Sequence, residues 1–268
     1  MEWRNVFRGM AMGVIEVVPG ISSGTFAVLL GIYDRLIAAI NGLTTRYWKR
    51  HIGFLIPLVI GMGIAIFSFS HVMTWLIENH IQPTYYFFIG LILGVLPFLF
   101  RQSKAKETFK FRHIVLLIIG ILIITQMQVA PNEGAIIEER NLSIYVMLFF
   151  SGFIGSAIMI LPGISGSFVF IVLGVYSTIM EAVTELEMTV ILVVGTGIAL
   201  GILTMSKIIH YFFGRYRSET FALIIGFIIG SVYVIFPGLP TGGLQFIIYT
   251  LLFLFGLTIA YVIGRVEY

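Results

Sequence analysis

"VVPGISSGTFAVLLGIY", from Val17 to Tyr33, sets Pro19, Gly20 and a run of serine, glycine and threonine inside an apolar stretch. A second copy, "ILPGISGSFVFIVLGVY", runs from Ile160 to Tyr176. Pro19 aligns with Pro162, an offset of 162 − 19 = 143, and at that offset Gly20 meets Gly163, Ser22 meets Ser165, Gly31 meets Gly174 and Tyr33 meets Tyr176. Proline cannot donate a backbone hydrogen bond, and it biases the residue before it, here Val18, away from helix. Gly20 and Gly24 permit a sharp turn, and Ser22 or Ser23 stands where a hydroxyl caps a helix beginning near Thr25. Each motif is therefore expected to break one helix and start another.

The chain around the motifs is built for lipid. It is 59% hydrophobic and 11% charged, with a mean hydropathy of +1.03, whereas a soluble domain carries about 25% charged residues. The composition defines an integral membrane protein, and 268 residues leave no stretch for a soluble domain. The net charge of +3 does not call for a nucleic-acid partner, because the basic residues sit in short loops between apolar runs, where they set orientation. With no cysteine, disulfides and thiolate metal sites are excluded, and the five histidines show no H-x-x-x-H spacing. Arg4 and Arg8 precede an apolar run with no small-residue cleavage site after it, so this segment is expected to be retained.

Apolar runs fall at roughly 5–18, 22–42, 52–78, 84–100 and 113–127, then at roughly 142–161, 165–184, 188–213, 219–236 and 244–264. They are too long for strands and lack alternation, so the expected class is an all-α integral membrane protein. The runs form two sets of five, residues 1–127 and 141–268, that read as one unit used twice. "GMGIA" from Gly61 pairs with "GTGIA" from Gly195, and "IGLILG" from Ile89 pairs with "IGFIIG" from Ile225. Loop charge orients them. Arg46, Lys49 and Arg50 make one basic loop, Arg101, Lys104, Lys106, Lys110 and Arg112 a second, and Arg215 and Arg217 a third. Glu133, Glu138 and Glu139 share an acidic connection, and Glu185 and Glu187 another. With the basic loops in the cytoplasm, both termini lie inside and the central acidic connection outside. Each unit then crosses an odd number of times and the second is inverted. Inverted repeats are typical of secondary transporters, whose sites lie near the midplane, although some membrane enzymes are built the same way.

Irregular backbone at membrane depth is tolerated only inside protein or beside a wet cavity. Each motif thus reads as the tip of a re-entrant helical hairpin, one entering from each side. Helix N-termini and hydroxyls offer donors to an anion, and two facing tips would make a small phosphate or carboxylate cradle. The plainer alternative is a Pro-Gly helix stop and a serine cap in an exposed turn.

"GMAMGVIEVVPGISSGT…LLGIY" with "LPGISGS…LGVY" resembles the bacterial polyprenyl-phosphate transporter family over essentially the whole chain. The resemblance implies a multi-pass plasma-membrane translocase returning undecaprenyl phosphate to the cytoplasmic leaflet, and no enzyme. That family usually has Asp where Glu16 stands, and Ser-Gly-Gly-Thr where this chain has Ser22, Ser23, Gly24 and Thr25. A prenyl tail needs apolar surface open to lipid, and its phosphate needs a polar site open to either side.

The expected substrate-binding residues are Glu16, Ser22, Ser23, Gly24, Thr25, Arg35, Ser165, Gly166 and Ser167. Glu16 is an acid within an apolar run, a position that is functional by default; it would take up a proton, pair with a cation, or snorkel to water. Arg35 would reach a phosphate or serve Asp34 as a local partner. Lys207, His210 and Glu181 are expected at the membrane rims, and Tyr33 and Tyr176 are expected to pack the hairpins. No cofactor is implied, and proton or sodium coupling stays open. One rival is an undecaprenyl-pyrophosphate phosphatase, which also uses a Pro-Gly-x-Ser turn but places an arginine after that serine, where Ser23 and Gly166 stand here. A small-anion symporter is the other.

Overall fold

The computed structural model describes residues 1–18, 21–127, 136–139 and 141–267. Pro19, Gly20 and Glu133 lie outside the described residues. Among those described, all regular structure is helical.

The first half runs α1 (Arg4–Glu16), α2 (Ser23–Leu29), α3 (Tyr33–Gly42), α4 (Trp48–Asn79), α5 (Ile81–Gln102), the short α6 (Ala105–Thr108) and α7 (Phe111–Met127). The second runs α8 (Leu142–Met159), α9 (Gly166–Val172), α10 (Tyr176–Thr184), α11 (Met188–Arg215), α12 (Arg217–Ile235) and α13 (Gly243–Glu267). Six described helices (α4, α5, α8, α11, α12 and α13) are long and apolar enough to cross a membrane. The total is eight if each bent pair, α2 with α3 and α9 with α10, counts as one span, and α7 is a shorter apolar helix. The chain is a multi-pass membrane protein.

The breaks fall where the motifs put them. α1 ends at Glu16 and α2 starts at Ser23, two residues earlier than the expected Thr25, with Ser22 as its N-cap. α8 ends at Met159 and α9 starts at Gly166. The apolar runs 22–42 and 165–184 are each two short helices rather than one, bent by 117° and 116°. Gly31 (φ 64°) and Gly174 (φ 69°) make these bends in the left-handed region, where a side chain is strained.

Packing recurs across the two halves. α1 lies along α4 as α8 lies along α11, while α5 pairs with α13 and α7 with α12, so each half lends a helix to the other. Glycines set these seams, because small residues let backbones approach closely in lipid. A Cβ on Gly61 would overlap the Val6 carbonyl, and one on Gly197 would overlap the Phe149 carbonyl. Gly90 faces Phe253 as Gly226 faces Leu117. The packing corrects one landmark: Gly61 corresponds to Gly197, an offset of 197 − 61 = 136, and not to Gly195, which has no neighbour near its Cβ position. α5 to α13 and α7 to α12 obey the same offset, since 253 − 117 = 136 and 226 − 90 = 136.

Candidate functional site

The two motif copies meet. The backbone N–H of Gly163 donates to Thr25 Oγ1 at 2.8 Å, and Tyr33 Oη donates to the Ile160 carbonyl at 3.0 Å. A Cβ on Gly24 would lie 3.5 Å from both the Ile160 oxygen and the Pro162 Cα. Gly163 itself sits at φ 92° with its Cβ position 2.7 Å from the Phe227 carbonyl oxygen, so a side chain there meets both strain and backbone. Loss of the Thr25 hydroxyl would leave a buried N–H without a partner, at a cost of about 1–3 kcal/mol.

The two copies use their hydroxyls differently. Ser22 Oγ accepts from the Gly24 N–H at 3.1 Å and caps α2, and Ser22, Ser23, Gly24 and Thr25 are all buried. Ser165 makes no cap; its hydroxyl lies 3.0 Å from that of Ser167, which is exposed. Gly166 is buried against the Met159 side chain, which a Cβ would overlap. Ser167 is thus the exposed hydroxyl of the cluster, while Ser165 is as buried as Ser23 of the first copy.

Glu16 closes α1, and its Oε2 is buried without a hydrogen-bond partner. A carboxylate oxygen left unpaired away from water is costly. Arg35 does not join the cluster. It pairs with Glu2, lies 4.7 Å from the Phe54 ring centre and is 55% exposed. Asp34 is held by Arg217 at 3.3 Å. Tyr33 is buried and meets Phe213 edge-on at 5.9 Å, so it packs the first bent pair as its repeated position predicted.

Two features escaped the sequence reading. The Asp34–Arg217 pair joins the two halves across 183 positions, a distance at which charge pattern names no partner. A second cluster gathers Arg112 and His113 around Glu219, at 2.8 Å and 3.8 Å. His113 Nδ1 accepts from the Lys110 N–H at 2.9 Å and its ring stacks on Phe109. No group of three or more His, Cys, Asp or Glu able to hold a metal ion occurs among the described residues.

Fold and cluster together define a helical membrane protein in which two helix breaks touch and bring small polar residues near one another. The chain belongs to the undecaprenyl phosphate translocase-like family, whose model matches residues 12–242. It is 39% identical over 274 residues to the polyprenyl-phosphate transporter of Staphylococcus aureus, covering 99% of this chain and 97% of that one. It is 32% identical over 246 residues to the polyprenyl-phosphate transporter of Vibrio cholerae, covering 86% of this chain and 76% of that one. Both relatives are named as transporters, in keeping with a protein that is not an enzyme. No solved structure matches the chain.

Proposed function

We propose that this protein moves undecaprenyl phosphate across the bacterial plasma membrane and returns it to the cytoplasmic leaflet for cell-wall polymer synthesis. The observation that supports the proposal is the direct link between the motif copies, in which the Gly163 N–H donates to Thr25 Oγ1. Ser22, Ser23, Gly24, Thr25, Ser165, Gly166 and Ser167 form the phosphate site, with Glu16 beside it. The helices behind the motifs have only seven residues each, so hydroxyl and backbone donors matter more than helix dipoles. A neutral cradle suits transport, because the headgroup must leave as readily as it enters.

Residues 1–127 and 141–268 act as two inverted units, each with its motif at the tip of a re-entrant hairpin. α1 spans about 20 Å at ~1.5 Å per residue, short of the ~30 Å hydrocarbon layer, which supports a tip at depth. Both termini and the Lys106 loop face the cytoplasm and Glu138 faces outside. A cysteine at Lys106 is expected to react with an impermeant thiol reagent only in inside-out vesicles; reaction in intact cells would overturn the orientation.

Transport proceeds by alternating access, and the two ends of the molecule differ as that requires. α3 packs on α11 and the Asp34–Arg217 pair ties α3 to α12, while α10 has no comparable packing on α4. This arrangement supports a state closed towards the cytoplasm. In vesicles holding the purified protein, a fluorescent polyprenyl phosphate is expected to exchange between leaflets while the matching polyprenol is not accelerated. Equal acceleration of the alcohol, or phosphate released from undecaprenyl pyrophosphate, would contradict the proposal.

A further inference from the structure

Two apolar clefts open on the sides of the helix bundle. The larger, of about 720 Å³, lies between the second half of α4, the first half of α5 and α13, and reaches Ile15 and Phe26. The smaller, of about 390 Å³, lies between α11, α12 and α7, and reaches Leu161 and Tyr33. Both volumes fall in the range of about 300–1,000 Å³ typical of ligand sites.

The clefts are equivalents of one another. Of the 13 residues lining the smaller one, 11 lie 136 positions from a residue lining the larger. On α4 and α11 the pairs include Leu76 and Phe212 (212 − 76 = 136), on α5 and α12 Thr84 and Thr220 (220 − 84 = 136), and on α13 and α7 Leu252 and Leu116 (252 − 116 = 136). The offset is that of the glycine seams. Thr84 and Thr220 even share a conformation: each hydroxyl donates to the carbonyl four residues back, His80 at 2.7 Å and Tyr216 at 2.8 Å. Their polar atoms are thus satisfied within their own helices.

Each cleft reaches residues next to a motif copy. Ile15 and Phe26 flank the first motif and line the larger cleft, while Leu161 directly precedes Pro162 and lines the smaller. Tyr33, seven positions after Phe26, takes the first bent pair into the smaller cleft as well. In the orientation proposed above, the larger cleft lies at the outer end of α4 and α5 and the smaller at the cytoplasmic end of α11 and α12.

We propose that the two clefts are alternate seats for the isoprenoid chain of one substrate molecule, one in each leaflet, with the phosphate held between them at the motif pair. This rests on the phosphate reading of that pair. Their reach to Ile15, Phe26 and Leu161, next to the proposed headgroup residues in the chain, distinguishes these clefts from a niche for bulk lipid. A phosphate moving only between two nearby tips would otherwise leave its tail with no defined path through the helices. The larger outer cleft and the packed cytoplasmic end fit a tail seated first on the outer side.

The test has two arms. In the first, wild-type protein in vesicles is photolysed with a polyprenyl phosphate carrying a photoreactive group in its tail. Crosslinks are expected in the segments 69–91 and 205–227, and excess unlabelled undecaprenyl phosphate should abolish them. Crosslinks confined to outward-facing positions such as Phe67 or Leu244, or displaced equally well by phospholipid, would overturn the proposal. In the second, Thr84→Trp and Thr220→Trp fill the clefts. Losing burial of even two methylene groups is worth about tenfold in affinity. The double variant is therefore expected to lose about tenfold of the preference for the long-chain over a five-carbon prenyl phosphate, with the short ligand bound as before. Thr84→Ala with Thr220→Ala should keep that preference. A double tryptophan variant that folds and retains it would overturn the proposal. Failure of the phosphate reading looks different, since wild-type protein would then bind undecaprenol as tightly as its phosphate.

Discussion

Gly61→Val is expected to abolish folded protein, and Gly63→Val, one helical position pair away, to leave it intact. The Gly61 Cβ position overlaps the Val6 carbonyl and crowds the Met10 amide, both backbone atoms of α1. A flexible side chain would yield, but a helix backbone moves only if the whole α1–α4 seam opens. Overpacking costs about 1–3 kcal/mol even where side chains can adjust, against a total stability of about 5–15 kcal/mol. Gly63 has nothing within 4 Å of its Cβ position. The second half should show the mirror of this pattern: Gly197→Val damaging and Gly195→Val tolerated. Size-exclusion profiles of the four variants in detergent read the result directly. A Gly61→Val protein as abundant and monodisperse as wild type would contradict the packing described.

Glu16→Gln is expected to lower transport by about tenfold or more, equivalent to about 1.4 kcal/mol, while the amount of folded protein stays unchanged. A carboxylate and a phosphate about 6 Å apart repel by roughly 3 kcal/mol at an effective dielectric of ~20. An acid beside a phosphate held as proposed needs its charge relieved as the headgroup arrives, and an amide, which can exchange hydrogen-bond partners, has no charge to relieve. Its buried, unpartnered Oε2 is the observation behind this. Arg35→Gln makes the contrast. Arg35 is tied to Glu2 away from the motif pair, and an exposed pair of this kind contributes about 0–1 kcal/mol, so exchange should stay within about twofold of wild type. Exchange by Glu16→Gln at the wild-type rate would show that this carboxyl has no part in the cycle.

How much of this could be read from the residues varies with what the residues encode. Hydropathy located the long helices to within a few positions, because lipid demands a continuous apolar run. The motif located the two helix breaks, because proline and glycine act locally, and Ser22 proved to be the cap of α2. Hydropathy was silent about the bends at Gly31 and Gly174, where the apolar run continues without interruption. It was equally silent about partners: nothing in α5 or α7 alone says that each packs on a helix from the other half. The G-x-G pattern misled by two residues, since "GMGIA" and "GTGIA" match as strings while Gly61 and Gly197 match in space. Among the site residues, those of one motif copy lie close because the chain holds them so, and the two copies meet through Thr25 and Gly163. Arg35 did not, because a long side chain on an exposed helix end takes whichever carboxylate is nearest.

The central claim is that the hydroxyls of both motif copies hold one phosphate. It is tested most directly by equilibrium binding of undecaprenyl phosphate and undecaprenol to wild type, Ser22→Ala, Ser165→Ala and the double variant, with Ser143→Ala as a distant control. A hydrogen bond to a charged group is worth about 1.5–3 kcal/mol. Each single variant should therefore weaken phosphate binding by about tenfold or more, and the double variant should lose the preference for phosphate over alcohol, with Ser143→Ala unaffected. Full-strength, phosphate-dependent binding by the double variant would contradict the account, and loss through one copy alone would reduce the site to a single tip.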